Sequence, residues 1–155
     1  MKNLNGTFSV DTFIERALYD KNYGYYSNKN PFGKQGDFIT APLISPLFSE
    51  MVLVWVISYW INLGKPKEFS FVELGPGNGG FCKTFCKSLK KFPSFEKSVK
   101  IFLLEKSETL IKIQKNKIKN KKVTWIKNLS QIKNGPVLFF GNEFFLKCRC
   151  TSKQQ

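Results

Sequence analysis

The sequence predicts an α/β domain built on a doubly wound parallel sheet, preceded by a helical extension. Two observations carry the prediction. Beyond Phe69, short and almost continuously apolar runs alternate with segments at helical spacing. That is the pattern of strands buried on both faces by crossover helices. The first of these runs ends in a glycine-dense bend, Gly75–Gly80, and doubly wound sheets receive their ligands beyond the carboxyl ends of the strands.

The elements follow in order. Ser9 can cap a first helix, with Phe13, Ala17 and Leu18 on its inner side. The stretch DKNYGYYSNKNPFGKQGDFITAP, Asp20–Pro42, is rich in glycine, proline and asparagine and reads as a long ordered loop. Tyr23, Tyr25, Tyr26 and Phe32 give it something to pack with, and loops of this kind are often lids or binding segments. A second helix covers about Ser45–Asn62, stopped by Gly64 and Pro66; its apolar run Met51–Ile61 reads as buried. FSFVEL, Phe69–Leu74, is the first strand, followed by a helix from about Gly80 to Lys91 that Pro93 closes. VKIFLLE is the second strand. Ser107 caps the next helix, which turns Leu110, Ile111, Gln114 and Ile118 to one side. KVTWI is a short third strand, and GPVLFFGNE contains the fourth. The expected division is an extension over 1–66, a sheet domain over 67–145 and an irregular tail over 146–155.

Composition narrows the function classes. The chain has 155 residues, 42% of them hydrophobic and 15% aromatic, enough for one real core. Net charge is +14, which raises nucleic acid or an anionic surface as partners. Nearly all of that charge is lysine, scattered apart from the run Lys112–Lys122, and only Arg16 and Arg149 are arginines. Lysine, asparagine, isoleucine and phenylalanine are over-used together, as an AT-rich coding sequence would produce, so no nucleic-acid partner is required. The lysine run reads as a solvated helix face. Cys82 and Cys86 share a helical stripe with Phe81, Phe85 and Leu89 and read as small core residues. A metal would need further ligands from Cys148 and Cys150, since histidine is absent; no metal site is expected. The start of the chain has no apolar signal region, and Met51–Ile61 is about half the length a bilayer span needs. A reducing compartment follows by default.

The bend in FVELGPGNGG raises the chemical question. Glycine permits positive φ and the close approach of a ligand to backbone N–H groups, and the helix after it presents unpaired N–H groups and a positive dipole end. Gly75-x-Gly77-x-x-Gly80 also fits the dinucleotide pattern, a weak match by itself. Glu73, at the strand end just before the glycines, would repel a pyrophosphate and suits a cation. S-adenosylmethionine is a nucleoside with an ammonium, a sulfonium and no phosphate. Glu105, ending the second strand, could accept hydrogen bonds from ribose hydroxyls of either cofactor class. A dinucleotide cofactor and a glycine turn without ligand stay open as alternatives. The fourth strand should end beside the first, which brings Asn142 and Glu143 to the cofactor's reactive end. A carboxylate there can clamp a guanidinium with paired hydrogen bonds. Otherwise Glu143 caps a helix or pairs with a surface lysine.

Several stretches together resemble one family: ALYD with YGYY, GDFITAP, FVELGPGNGG, LLEKS followed by Gln114, and GPVLFFGNEFF. They are similar to the MidA family of class I S-adenosylmethionine-dependent methyltransferases, with its Rossmann-like sheet. Mitochondrial members methylate arginine on a respiratory complex I subunit during assembly. GDFITAP and NEFF are the more specific motifs. The resemblance implies cofactor contacts for Gly75, Gly77 and Gly79, a ribose role for Glu105 and an active-site role for the Asn142–Glu143 turn. It also implies that Gly36–Pro42, with Asp37, forms part of the cofactor wall, where the alternative is a structural turn. A protein substrate is implied, in mitochondria for eukaryotic relatives and in the cytoplasm for a bacterial chain; no transit peptide is seen. The chain departs from the family at Leu43, where glutamate is usual, and after NEFF, where LKCRCTSKQQ replaces the family's continuation. Members are roughly twice as long, so a partial methyltransferase sheet is expected, with an apolar open edge at its fourth strand. The alternative to catalysis is a non-catalytic remnant that binds a protein partner.

Overall fold

The structure, a computed structural model, describes residues 9–20, 22–25, 45–132, 135–142 and 144. Helix α1 spans Val10–Tyr19 and α2 spans Pro46–Asn62. Strand β1 is Phe69–Leu74, followed by helix α3, Gly80–Leu89, and the short helix α4, Pro93–Ser98. Strand β2 is Val99–Leu104, α5 is Glu108–Lys117, and β3 is Val123–Ile126. A 3₁₀ turn at Leu129–Gln131 leads to β4, Val137–Phe140.

The four strands form one parallel sheet in the order β3-β2-β1-β4. The chain therefore steps outward from β1 to β3 and then returns to the far side of β1. The reversal lies between β1 and β4, the topological switch point where such sheets open a crevice. Phe71 sits opposite Ile101 on one side and Leu138 on the other, and all six β1 residues are buried.

Strand alternation sorts the side chains onto two faces. Phe69, Phe71, Ile101, Leu103, Val123 and Leu138 meet Leu53, Val56, Ile57 and Trp60 of α2, the apolar stripe of α3, and Phe95 of α4. Flat ring stacks tie this core together: Phe71 on Phe85 at 4.6 Å between centroids, and Phe81 on Phe140 at 4.5 Å. Cys82 and Cys86 are buried here as free thiols, their sulfurs 3.8 Å apart. The other face has a smaller cluster of Val72, Leu74 and Ile126, edged by half-buried Phe102, Leu104, Val137 and Phe144.

Several expectations need correction. The sheet is not buried on both faces along every strand. Lys100 of β2, Thr124 of β3 and Phe139 of β4 are exposed, because α3, α4 and the Ile118 end of α5 all feed one face. Among the described residues β4 is an edge strand with Phe139 51% exposed, in keeping with the expected apolar edge. The run Met51–Ile61 is helical but buried along one side only: Met51, Val54, Trp55, Tyr59 and Ile61 are exposed. Its residues are apolar all round, so periodicity could not say which side packs. In α1 Phe13 is 64% exposed and Ala17 is exposed, so neither lies on an inner side. Pro93 does not close a long helix. The helix ends at Leu89, and Pro93 opens α4 from its first position, where its missing N–H costs nothing. Of the basic run, Lys112, Lys115, Lys119 and Lys121 are exposed while Gln114 and Ile118 are buried. Most of the long loop Asp20–Pro42 and the tail over 146–155 lie outside the described residues.

Candidate cofactor site at the strand tips

β1 carries Glu73 to the carboxyl edge of the sheet, on the helix-covered side it shares with Phe69 and Phe71. Glu73 is 5% exposed, and its Oε2 has no hydrogen-bond partner among the described residues. Burial makes the ionised form expensive and pushes its pKa up to about 8, with smaller contributions from Cys86 and Glu105. The thiol of Cys82 is likewise raised, by its contact with Cys86 and by burial. The tip of β1 thus holds a proton near neutral pH and presents an oxygen suited to a cation.

The bend begins at the next residue but one. Gly75, Gly77 and Gly79 have φ of +63°, +55° and +75°, a region costly for any side chain. Gly75 donates its N–H to the Leu104 carbonyl at 3.1 Å, and Gly79 closes the turn onto the Pro76 carbonyl at 2.9 Å. The Asn78 side chain accepts from the Gly80 N–H at 3.1 Å and so caps one of the helix-start amides that the sequence reading leaves unpaired. The bareness of two glycines also serves the protein's own packing. A Cβ on Gly75 would stand 2.7 Å from Cδ2 of Phe144; one on Gly79 would stand 2.9 Å from Cδ1 of Ile118 and 3.3 Å from Cγ of Gln114.

At the neighbouring tip, Glu105 is 6% exposed. Its Oε1 accepts the backbone N–H groups of Lys106 and Ser107, each at 2.9 Å, and its Oε2 accepts Nε2 of Gln114 at 3.3 Å. Ser107 then caps α5 by accepting from Leu110 at 3.2 Å. The carboxylate and the helix start behind it are fixed as a unit.

On the other side, Phe140 of β4 lies opposite Glu73, so Gly141 and half-buried Asn142 continue beside the bend. Phe144 reaches back over Gly75. Glu143, Asp37 and the rest of Gly36–Pro42 lie outside the described residues. Sequence reasoning missed the contacts of three residues. Asn78 stood in plain view within the bend, as a residue type that caps helices. Gln114 was legible as an inward position but not as a polar hub. Phe144 was legible as part of the NEFF motif, but nothing local placed its ring over Gly75.

A doubly wound sheet whose glycine bend lies between two buried carboxylates defines a class: an α/β domain for a nucleoside ligand, with an acidic cradle where phosphate binders have a neutral or basic one. Comparison with known proteins names the family. Residues 51–146 match the profile described as "Putative S-adenosyl-L-methionine-dependent methyltransferase", and the chain belongs to that family. It is 38% identical over 109 residues to the protein arginine methyltransferase NDUFAF7 homolog, mitochondrial, of Drosophila melanogaster, covering 70% of this chain and 25% of that protein. It is 33% identical over 165 residues to the Caenorhabditis elegans homolog of the same name, covering 91% of this chain and 38% of that one. A crystal structure from Burkholderia thailandensis with S-adenosyl-homocysteine bound superposes with a TM-score of 0.67 at 26% identity, covering 88% of this chain and 36% of that chain. The chain thus spans well under half the length of these relatives.

Proposed function

We propose that this chain is the cofactor-binding portion of an S-adenosylmethionine-dependent methyltransferase that acts on an arginine nitrogen of a protein. The observation that carries the reading is the buried, unpartnered Oε2 of Glu73 at the tip of the central strand. A buried acid in that state can give up its proton as a cation binds and so fits a cationic nucleoside, whereas a pyrophosphate would hold it protonated and add negative charge beside Glu105. When bound, S-adenosylmethionine supplies an electrophilic methyl group on a sulfonium. Glu73 would compensate positive charge on the cofactor, Glu105 would accept from ribose hydroxyls, and Gly75, Gly77 and Gly79 would line the backbone side. Asp37 would belong to the wall. Asn142 and Glu143 would face the acceptor, where a carboxylate holds a guanidinium by paired hydrogen bonds and leaves one nitrogen oriented for attack. The names of the relatives support arginine as the acceptor; a complex I subunit as substrate rests on the family resemblance alone.

Isothermal titration with S-adenosyl-homocysteine tests the reading. The chain should bind it, should ignore NAD⁺, and should lose affinity at least tenfold in Gly77→Val with its circular dichroism retained. Equal affinity in both proteins sinks the loop assignment. A second reading, a non-catalytic module that binds a protein partner, draws on the exposed Leu47, Met51, Val54, Trp55 and Tyr59 along α2. It predicts partner binding with no affinity for S-adenosyl-homocysteine.

A further inference from the structure

Gln114 is the most completely buried polar side chain near the bend, at 0% exposed, and neither the cofactor reading nor the fold gives it a task. Its amide joins three elements. Nε2 donates to the Gly77 carbonyl at 2.7 Å and to Oε2 of Glu105 at 3.3 Å, and Oε1 accepts from the indole Nε1 of Trp125 at 2.9 Å. These partners fix which way the amide points. An indole nitrogen can only donate, whereas a carbonyl and a carboxylate oxygen accept, so the flipped amide would set oxygen against two acceptors and nitrogen against a donor. The stem of the same side chain fills the space beside Gly79, where an added Cβ would lie 3.3 Å from its Cγ. One residue of α5 therefore grips the bend after β1, the carboxylate at the tip of β2 and the body of β3.

We infer that Gln114 is a positioning residue for the nucleoside: it sets the Gly77 carbonyl and the Glu105 carboxylate relative to each other, with Trp125 as the anchor that keeps the amide from turning. This rests on the cofactor reading above. A glutamine that merely fills the interior would contribute to stability alone. A positioning glutamine also links ligand occupancy to the Trp125 indole, through a chain of two hydrogen bonds.

The test uses the full chain, S-adenosyl-homocysteine, and two readouts. Calorimetry gives the affinity. Nitrogen–proton correlation spectra give the indole signals of the three tryptophans, Trp55, Trp60 and Trp125, with Trp125 assigned by Trp125→Phe. Wild type should bind, and saturation should move the Trp125 indole signal while that of Trp60, bonded to the Pro66 carbonyl, stays put. Gln114→Met, close in size, should bind at least tenfold more weakly, with a Trp125 signal that no longer responds at saturation. Affinity within twofold of wild type, with only a lower melting temperature, overturns the inference and leaves the cofactor reading standing. No binding by wild type overturns both. Should Gln114→Met not fold, Trp125→Phe at its half-buried position decides: a threefold or greater weakening supports the anchor, and unchanged affinity overturns it.

Discussion

Glu73 and Glu105 sit near the carboxyl ends of adjacent parallel strands, two residues apart in register, and both are almost fully buried. Their surroundings are opposite. Glu105 receives two backbone N–H groups and a side-chain amide, all supplied locally by α5 and its start. Glu73 has an oxygen with no donor among the described residues and answers burial by keeping its proton. The difference shows that burial does not fix what a carboxylate does; the donors around it do. Glu105 is a finished part of the fold. Glu73 keeps an acceptor that the described residues leave unused.

The largest effect that sharpens this contrast should come from Glu105→Ala. It strands the N–H groups of Lys106 and Ser107 and the amide of Gln114, at about 3 kcal/mol in urea unfolding. A loss under about 1 kcal/mol would mean these bonds hold little and the contrast fails.

Glu73→Gln should move stability the other way. Below pH 4.5, the ordinary value, folded and unfolded chains both hold the Glu73 proton. Between 4.5 and about 8 only the unfolded chain releases it, so wild-type stability falls as pH rises through that window, then levels off. The variant lacks this loss. It should be more stable than wild type at pH 8, with the gap closing as pH falls to 4. It should also bind S-adenosyl-homocysteine more weakly. Thermal melts across this range in ligand-free protein check the first claim, and parallel curves for the two proteins would refute it.

The same logic reaches the bend. Gly64 and Gly79 have similar φ, +80° and +75°, but an added Cβ meets nothing within 4 Å at Gly64 and two side chains at Gly79. Gly64→Ala should cost about 1 kcal/mol of backbone strain, and Gly79→Ala about 2 kcal/mol with a loss of cofactor affinity. Equal costs would show that the packing of Ile118 and Gln114 yields freely. The smallest effect should come from Ser107→Ala, which removes the α5 cap at about 1 kcal/mol or less and leaves the Glu73 tip untouched.

Much of this arrangement is legible in the sequence because it rests on spacing. Apolar runs interrupted by helical stretches place Phe69–Leu74 and Val99–Leu104 as parallel neighbours, and Glu73 and Glu105 follow as their tips. Ser107 reads as a cap because a hydroxyl before an apolar-periodic segment has one obvious partner. The failures share a cause: they depend on contacts between distant segments. Nothing near Met51–Ile61 says which side of an all-apolar helix meets the sheet. Pro93 is as good at beginning a helix as at ending one, and only the strand that follows decides. Gln114 lies at an inward helical spacing, yet its partners sit 37 residues before it and 11 after it in the chain. The pairing of Phe144 with Gly75 spans the switch point, which local pattern cannot bridge.

That last contact gears the two exits of the sheet. The ring of Phe144 rests where any other residue at position 75 would carry its own side chain. Pushing on the chain as it leaves β4 therefore bears directly on the chain as it leaves β1. Whatever engages the Asn142 turn would be felt at the glycines across a single van der Waals contact, with no hinge and no moving domain between them.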